Sequence, residues 1–563
     1  MNDQLQLDLE GIDFGIASTE GEPKETAAAT VPVPAGVKLT YEDFDFEGLL
    51  TYAGIDCINT SGILGKLWPE LNKVETMKVV KGASPTIVKA APIVNSVIDI
   101  EMPAHEFILD LEINGIGYSK QRNKFYNLKM EAEVAELDDR IFSAIGKKIN
   151  LDSGPVVAEF LYVTKGLKPP SMTKAGEPAT DGEALLTLAG LDPMGGKYVA
   201  PDSSLQWLAD MAKRKDINSV RNTFIKTYVE DWVKRTGRIH PSYNLFGTSS
   251  FRITGSDPNL TQLPRAKHGY NVRTCFTTRP GTVFISFDFS SAEVKILANM
   301  AKEPAMLKAI ADGLDFHTFS ASAMRGIPYD EMFGVLQDRT HSKFKEYKEL
   351  RQLAKVLTFS ILYGASTAGI AAQLYLSIPE AQRLIDLYFS TFPKVRDFIE
   401  SSHRMAQWNQ FVITPLNQRK RQYGTYSCFK GTAAFNAALR NSQNVLIQST
   451  TSSVGLITFA ELNERIKPFG AISTCTVYDS LEIECPIQNA AQVINLCYDV
   501  LDNWPVETFD FLELPIGCEG DVGISWGETE VVHPGTTTED VLAIVERCKA
   551  SSVKTFGELL LDY

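Results

Sequence analysis

Two hydrophobic, strand-like runs lie far apart in this chain, and each ends on an aspartate. GTVFISFDFSS (281–291) reads as a buried strand closing at Asp288, followed by a helix from about Ala292. AISTCTVYDSLEIECP (471–486) reads as two β-rich runs folded about a short turn, with Asp479 at its tip. A lone carboxylate at a strand end is ordinarily a helix cap or turn former. Two of them act together only if the fold sets a mid-chain strand beside a late hairpin. They would then hold divalent cations between them.

A second feature is the helix over 346–363, closed by Gly364. Arg351, Lys355, Phe359 and Tyr363 recur every four residues in RQLAKVLTFSILYG (351–364). At roughly 100° per residue they form one stripe that drifts about 40° per step. Two cations followed by two aromatics is unlike the aliphatic seam of a core helix. The spacing fits a solvated basic face with an aromatic end. It fits equally a surface that grips phosphates and stacks a base.

Net charge does not choose between these. The chain carries −14 in all, but residues 1–50 carry −9 and residues 529–563 carry −3, which leaves −2 on 51–528. A near-neutral core can still hold a basic groove. No apolar run approaches the ~20 residues of a membrane span, and MNDQLQLDLEG lacks a signal-peptide core, so a non-membrane protein is expected. The eight cysteines include no CxxC pair and the seven histidines are scattered. That argues against structural zinc and fits a reducing cytoplasm better than a disulfide framework.

Along the chain, residues 1–40 are acidic, rich in Ala, Thr, Pro and Gly, and read as a disordered tail. Helical spacing is expected over 125–147, 205–235 and 430–463, with loops and shorter helices over 165–202. The segment after Gly527 reads as a separate C-terminal piece with a helix near 538–549.

Taken in order, these motifs resemble those of family A DNA polymerases of the bacterial polymerase I type. FDFSSAEVKILA (287–298) resembles the motif D-x-S-x-x-E followed by a helix, and RQLAKVLTFSILYG keeps R-x-x-x-K-x-x-x-F-x-x-x-Y-G intact. TVYDSLEIE (476–484) resembles the third motif, and GRIHPSYNLFGTSSFRITGSDPNLTQLPR (237–265) the primer-binding stretch. LRNSQNVLIQST (439–450) is similar to the template-contacting helix. The resemblance covers about 44–528.

It implies an α+β, right-hand polymerase fold with a helical thumb (103–235), helical fingers (315–408) and a mainly antiparallel palm (236–314 and 409–528). A remnant of a 3′–5′ exonuclease domain would occupy 41–102, and 529–563 would be a C-terminal extension. The implied activity is template-directed, primer-dependent DNA synthesis from dNTPs with two Mg²⁺ ions, in phage DNA replication in the cytoplasm of a bacterial host. By position, Asp288 and Asp479 resemble the catalytic, metal-binding aspartates, and Arg351, Lys355 and His317 (in GLDFHT) the triphosphate clamp. Phe359 and Tyr363 match the aromatics beside the incoming sugar and the templating base, and Glu293 the residue that closes off a ribose 2′-hydroxyl. Phe359, where some relatives carry Tyr, implies discrimination against dideoxynucleotides. Arg252, Arg440, Asn444 and Gln448 match minor-groove contacts to the primer-template DNA. Such contacts meet acceptors shared by all base pairs, as a copying enzyme requires.

The sequence also departs from that pattern. The third motif usually reads His-Asp-Glu and here reads Tyr478-Asp479-Ser480. Glu482, on the same strand face but about 6–7 Å further along, is expected to compensate only in part. Ser291 replaces a Gln, and Phe251 replaces the Gly before Arg252. Of the exonuclease motifs only Tyr52 and Asp56 match, because the D-x-E motif would lie well over 100 residues upstream. No proofreading is therefore expected of this chain, and a separate exonuclease would supply it. QLDLE (6–10) resembles the Q-L-x-L-F peptide of sliding-clamp partners but ends on Glu, so a plain solvated tail is the preferred reading. Two rival readings stand beside the polymerase: a non-catalytic primer-template-binding subunit and an RNA-synthesising relative.

Overall fold

In the computed structural model of the chain, the described residues are 97–557 with short breaks at 174, 194–196, 229–231, 234–235, 249, 251, 417–419 and 424–430, together with strands Glu75–Val79 and Ile87–Pro92. The expectations for the acidic tail, the clamp-like peptide, Tyr52 and Asp56 fall outside them.

An eight-stranded sheet organises the elements from Val97 onward, which lie within one compact unit. Its strands are β1 (Ile116–Tyr118), β2 (Arg238–Ile239), β3 (Phe276–Thr277), β4 (Thr282–Phe289), β5 (Ile472–Val477), β6 (Ser480–Pro486), β7 (Cys518–Ser525) and β8 (Glu528–Val532). They run in the order β5-β6-β4-β7-β3-β1-β2, with β8 paired to β7, and the pairings are antiparallel. Strand β4, formed by TVFISFDF, is central: it pairs with β6 and β7, buries Val283, Ile285, Phe287 and Phe289 on one face, and carries Thr282, Phe284, Ser286 and Asp288 on the other. The β5–β6 hairpin turns on Tyr478 and Asp479 alone. Tyr478 takes φ 59°, the left-handed conformation such a two-residue turn needs at its first position.

Helices pack on this sheet. They include α1 (Met102–Asn114), α2 (Lys120–Ile145), α3 (Gln206–Val220), α4 (Ala292–Ala301), α5 (Phe316–Arg325), α6 (Phe344–Leu362), α7 (Ala433–Ile466), α8 (Ala490–Thr508) and α9 (Thr538–Phe556). Helix α2 starts where Ser119 caps Arg122 N and stops at Gly146, whose φ of 78° ends the helix. Its buried stripe is Tyr126, Met130, Val134, Leu137 and Ile141, whereas Leu128 and Ala132, apolar positions of the sequence pattern, are exposed. Helix α7 is 34 residues long and buries most of its circumference. Together with α1, α4 and α8 it supplies a large core that includes Phe107, Phe287, Phe289 and Phe459. A second core joins α2 and α3 to Phe276 and Phe284 of the sheet and to Trp526 in the turn between β7 and β8. A third, small one holds Ala321, Met332 and Tyr347 beside α6.

One expectation needs correcting. The residues after Gly527 are not a separate piece: β8 extends the same sheet through β7, and α9 buries Val541, Ile544, Val545 and Cys548 in the large core. The sequence showed the apolar spacing of α9 but not the strand that ties it in. Among the described residues, no helix is long and apolar enough to cross a membrane, and the six described cysteines are free thiols.

Candidate active site

The sheet brings the two aspartates together. Ser480 of β6 pairs with Asp288 of β4, and Phe289 N donates to Asp479 O at 3.0 Å. The pair therefore sits at adjacent strand ends. The third strand adds carboxylates that sequence reasoning missed, because cross-strand register cannot be read from one strand. Glu519 of β7 lies opposite Asp288 on the other side, and Asp521 lies opposite Ser286. Their only sequence signal was the alternation C-E-G-D in 518–521.

This crowding is electrostatically unfavourable. Burial, then the charges of Asp479 and Glu519, push Asp288 up to about 7. Burial also raises Asp479, while Arg252 opposes the shift. Glu482 sits one row deeper, opposite Ser286, and is 1% exposed. It accepts from Ser480 Oγ at 3.3 Å through Oε1, and its buried Oε2 has no hydrogen-bond partner. Burial, with Asp288 adding, pushes it up to about 8, which favours the neutral form at pH 7.

The donor set fits a divalent cation. Carboxylates whose pKa values are raised by burial and, at Asp288, by neighbouring charge are relieved by a cation placed between them. Among the described residues no group of three or more His, Cys, Asp or Glu is arranged to hold a metal ion. The remaining ligands would then be water and substrate oxygens, as a hard cation such as magnesium prefers.

Beside the aspartates, three predicted residues form one network. The sequence S-S-A-E turns sharply after β4, with Ser291 at φ 54°, and swings Glu293 into the first turn of α4. Glu293 is 6% exposed. It accepts from Tyr363 Oη at 2.6 Å and from Arg252. Burial raises its pKa, and Arg252 and Tyr363 oppose that. The Arg252 guanidinium lies 5.4 Å from the Tyr478 ring, so the phenol that replaces the usual His meets a cation on its face. Tyr478 Oη also reaches Thr261 Oγ1 at 3.4 Å.

Along α6 the predicted stripe is present. Phe359 and Tyr363 stack with centroids 6.1 Å apart, and His317 of α5 packs on Phe359 at 5.6 Å. Lys355 is exposed. Arg351 is engaged by Asp315, with Nε to Oδ1 at 2.9 Å and Nη2 to Oδ2 at 2.8 Å. Asp315 was overlooked, although it stands two residues before His317 in GLDFHT; its carboxylate also caps α5 through Thr318 N. His317 is buried, and its Nδ1 has no partner. Burial, helped by Lys355 and Arg351, brings it down to about 4, so the ring is neutral at pH 7.

Helix α6 ends against α7. Gly364, at φ 71°, lies so close to Arg440 that a Cβ there would stand 2.9 Å from the arginine's own Cβ. Only glycine fits both demands. Gln443 Nε2 donates to Ile361 O at 2.6 Å and fixes the same junction. Arg440, Asn444 and Gln448 recur on α7 at intervals of four and share one stripe. Arg440 is exposed, Gln448 is buried, and the buried Oδ1 of Asn444 has no partner. Among the described residues, no hydrogen bond or ion pair links this stripe or Lys355 to the aspartates.

A mainly antiparallel sheet with paired aspartates at its strand ends, flanked by a cationic–aromatic helix, fits the right-hand polymerase fold. The sequence pattern of "DNA polymerase family A" matches residues 120–528, and the chain belongs to that family. It is 27% identical over 434 residues to a DNA polymerase I of Rhizobium leguminosarum, covering 76% of this chain and 40% of the relative. It is 26% identical over 494 residues to DNA polymerase I of Pseudomonas aeruginosa, covering 87% and 49%. With the thermostable DNA polymerase I of Thermus aquaticus it shares 26% identity over 431 residues, covering 76% and 48%. The chain thus spans less than half the length of these relatives. Among solved structures it is similar to the POL domain of Pol1 from M. smegmatis, in complex with DNA primer-template and dNTP. There the TM-score is 0.64 and the identity 24%, covering 76% of this chain and 70% of that one. That likeness establishes the fold.

Proposed function

We propose that this chain is a template-directed, primer-dependent DNA polymerase that adds dNTPs to a 3′-hydroxyl, in the replication of a phage genome. The observation that carries this reading is the meeting of Asp288 and Asp479 at adjacent strand ends, with Glu293 beside them bonded to Tyr363 at the end of the helix that bears Arg351, Lys355 and Phe359. The helices of 103–235 would be the thumb, 315–408 the fingers, and the sheet with α7 the palm.

In this scheme Asp288 and Asp479 would hold the metals, and the residues around them bind and orient. Bound divalent cations, taken as two Mg²⁺, would favour ionisation of the attacking hydroxyl and offset charge on the departing pyrophosphate. Arg351, Lys355 and neutral His317 hold the triphosphate, with the two cations offsetting its charge. Phe359 and Tyr363 pack the incoming sugar and base. Glu293, fixed by Tyr363 and Arg252, fills the space that a 2′-hydroxyl would need. Arg252, Arg440, Asn444 and Gln448 would track the minor groove around the primer end. Positioning and charge stabilisation are then the protein's main contributions.

The test is extension of a labelled primer on a DNA template with Mg²⁺. Template-dependent growth with dNTPs, and far less with rNTPs, is expected. Binding without extension would favour the non-catalytic subunit, for which the altered Tyr478-Asp479-Ser480 motif is the reason. Growth with rNTPs would favour the RNA-synthesising relative. Primer shortening when dNTPs are withheld would overturn the proposed lack of proofreading.

A further inference from the structure

The family pattern stops at residue 528, yet the structure continues with β8 and α9. These elements join two cores. Val541, Ile544, Val545 and Cys548 of α9 belong to the large core beneath the sheet, whereas Phe556 at its far end belongs to the core built on α2 and α3. The link between them is Arg122, in the first turn of α2 and 1% exposed. Its Nη1 donates to Thr274 O at 2.8 Å and to Glu528, and its Nη2 donates to Ser552 Oγ at 2.9 Å. The guanidinium also lies 4.8 Å from the Phe556 ring. Phe125 and Tyr126 of α2 pack edge-on to that ring, at 5.2 and 5.5 Å. The other end is tied to α8: Tyr498 Oη donates to Val532 O at 2.7 Å, and Asn495 Nδ2 donates to Thr536 O at 2.9 Å.

We infer that residues 528–556 are a brace that fixes the base of helix α2 to the sheet and so sets how long the protein stays on primer-template DNA. This rests on the proposed polymerase reading, in which α2 belongs to the thumb. A buried guanidinium needs every partner it has, because an unpaired one is costly. Loss of the α9 partners therefore loosens α2 relative to the sheet. Among the described residues, no hydrogen bond, ion pair or ring contact joins α9 to Asp288, Asp479, Arg351, Lys355, Phe359 or Tyr363. Phe556 and Ser552 are thus positioning residues, and their effect should appear in dissociation and not in the chemical step.

The experiment compares full-length wild type, Phe556→Ala, Phe556→Leu and Ser552→Ala. Three quantities are read: dissociation of a labelled primer-template into excess competitor DNA, single-turnover addition of one dNTP on pre-bound DNA, and thermal unfolding. Phe556→Ala should dissociate about tenfold faster, a change of ~1.4 kcal/mol, with single-turnover addition unaltered. Ser552→Ala and Phe556→Leu should fall between it and wild type. If Phe556→Ala does not fold, Ser552→Ala decides alone, since it removes one hydroxyl. Lowered thermal stability with unchanged dissociation would overturn the inference and leave the segment merely structural. Wild type that neither binds nor extends the primer-template would sink the polymerase reading itself, which is a different result from wild type that works and variants that match it.

Discussion

Asp315→Asn tests how Arg351 is kept ready for phosphate. The guanidinium–carboxylate pair is bidentate, and the side chains are 35% and 32% exposed. Burial alone would raise Asp315, but its bonds from Arg351 and Thr318 hold it down to about 2. A pair so open to water is screened and contributes ~0.2–1 kcal/mol, with the two-point geometry placing it near the upper end. A triphosphate that takes Arg351 must first break this pair. The penalty then appears as nucleotide binding weaker by about 2–5-fold. Asparagine keeps the shape and the cap on Thr318 N but cannot neutralise the arginine. The expected result is a dNTP dissociation constant lower by about 2–5-fold, with the maximal rate of addition close to wild type and the gain shrinking at high salt. Pre-steady-state addition across a dNTP series measures both quantities. Weaker dNTP binding in Asp315→Asn would refute the competition argument and make Asp315 the group that orients Arg351 for the phosphate.

Three further outcomes follow from the same geometry. Glu293→Ala should lower the preference for dNTPs over rNTPs by about 5–150-fold, equivalent to relieving ~1–3 kcal/mol of overpacking, whereas Glu293→Gln keeps the bulk and most of the preference. Competition between dNTP and rNTP on one template reads this, and equal losses in both variants would mean that the charge, not the volume, discriminates. Glu482→Gln should leave extension at pH 7 near wild type, because burial already favours the neutral form of Glu482 there; a loss beyond about tenfold would show that its charge is used. His317 is held near 4 when folded but takes a proton at about 6.5 when unfolded, so its stability contribution is intact above pH 6.5 and is lost as pH falls to about 4. That amounts to at most roughly 3 kcal/mol. Urea unfolding of His317→Gln should show a flatter pH dependence than wild type over that interval, and parallel curves would contradict the assignment.

Much of this was legible in the sequence because the informative patterns were local. The apolar run before Asp288, the hairpin around Asp479 and the four-residue spacing on α6 each follow from one element's own periodicity. What stayed hidden depends on which elements meet. Glu519 and Asp521 reach the aspartates only through the β4–β7 register. Asp315 becomes a counter-ion only once α5 and α6 are packed side by side. Glu482 was correctly placed on the right strand face, but its charge state depends on burial that no spacing reveals. The segment after Gly527 looked separate because its link to α2 runs through Arg122, Phe125 and Tyr126, some 400 residues earlier, as the 406-residue separation of Arg122 and Glu528 shows.

The central claim is that Asp288 and Asp479 act together on a primer end. Its most direct test compares wild type with Asp479→Asn for primer extension and for primer-template binding, in Mg²⁺. The account predicts that wild type extends the primer, and that Asp479→Asn binds the same DNA with similar affinity but does not extend it. Extension by Asp479→Asn at the wild-type rate would contradict it.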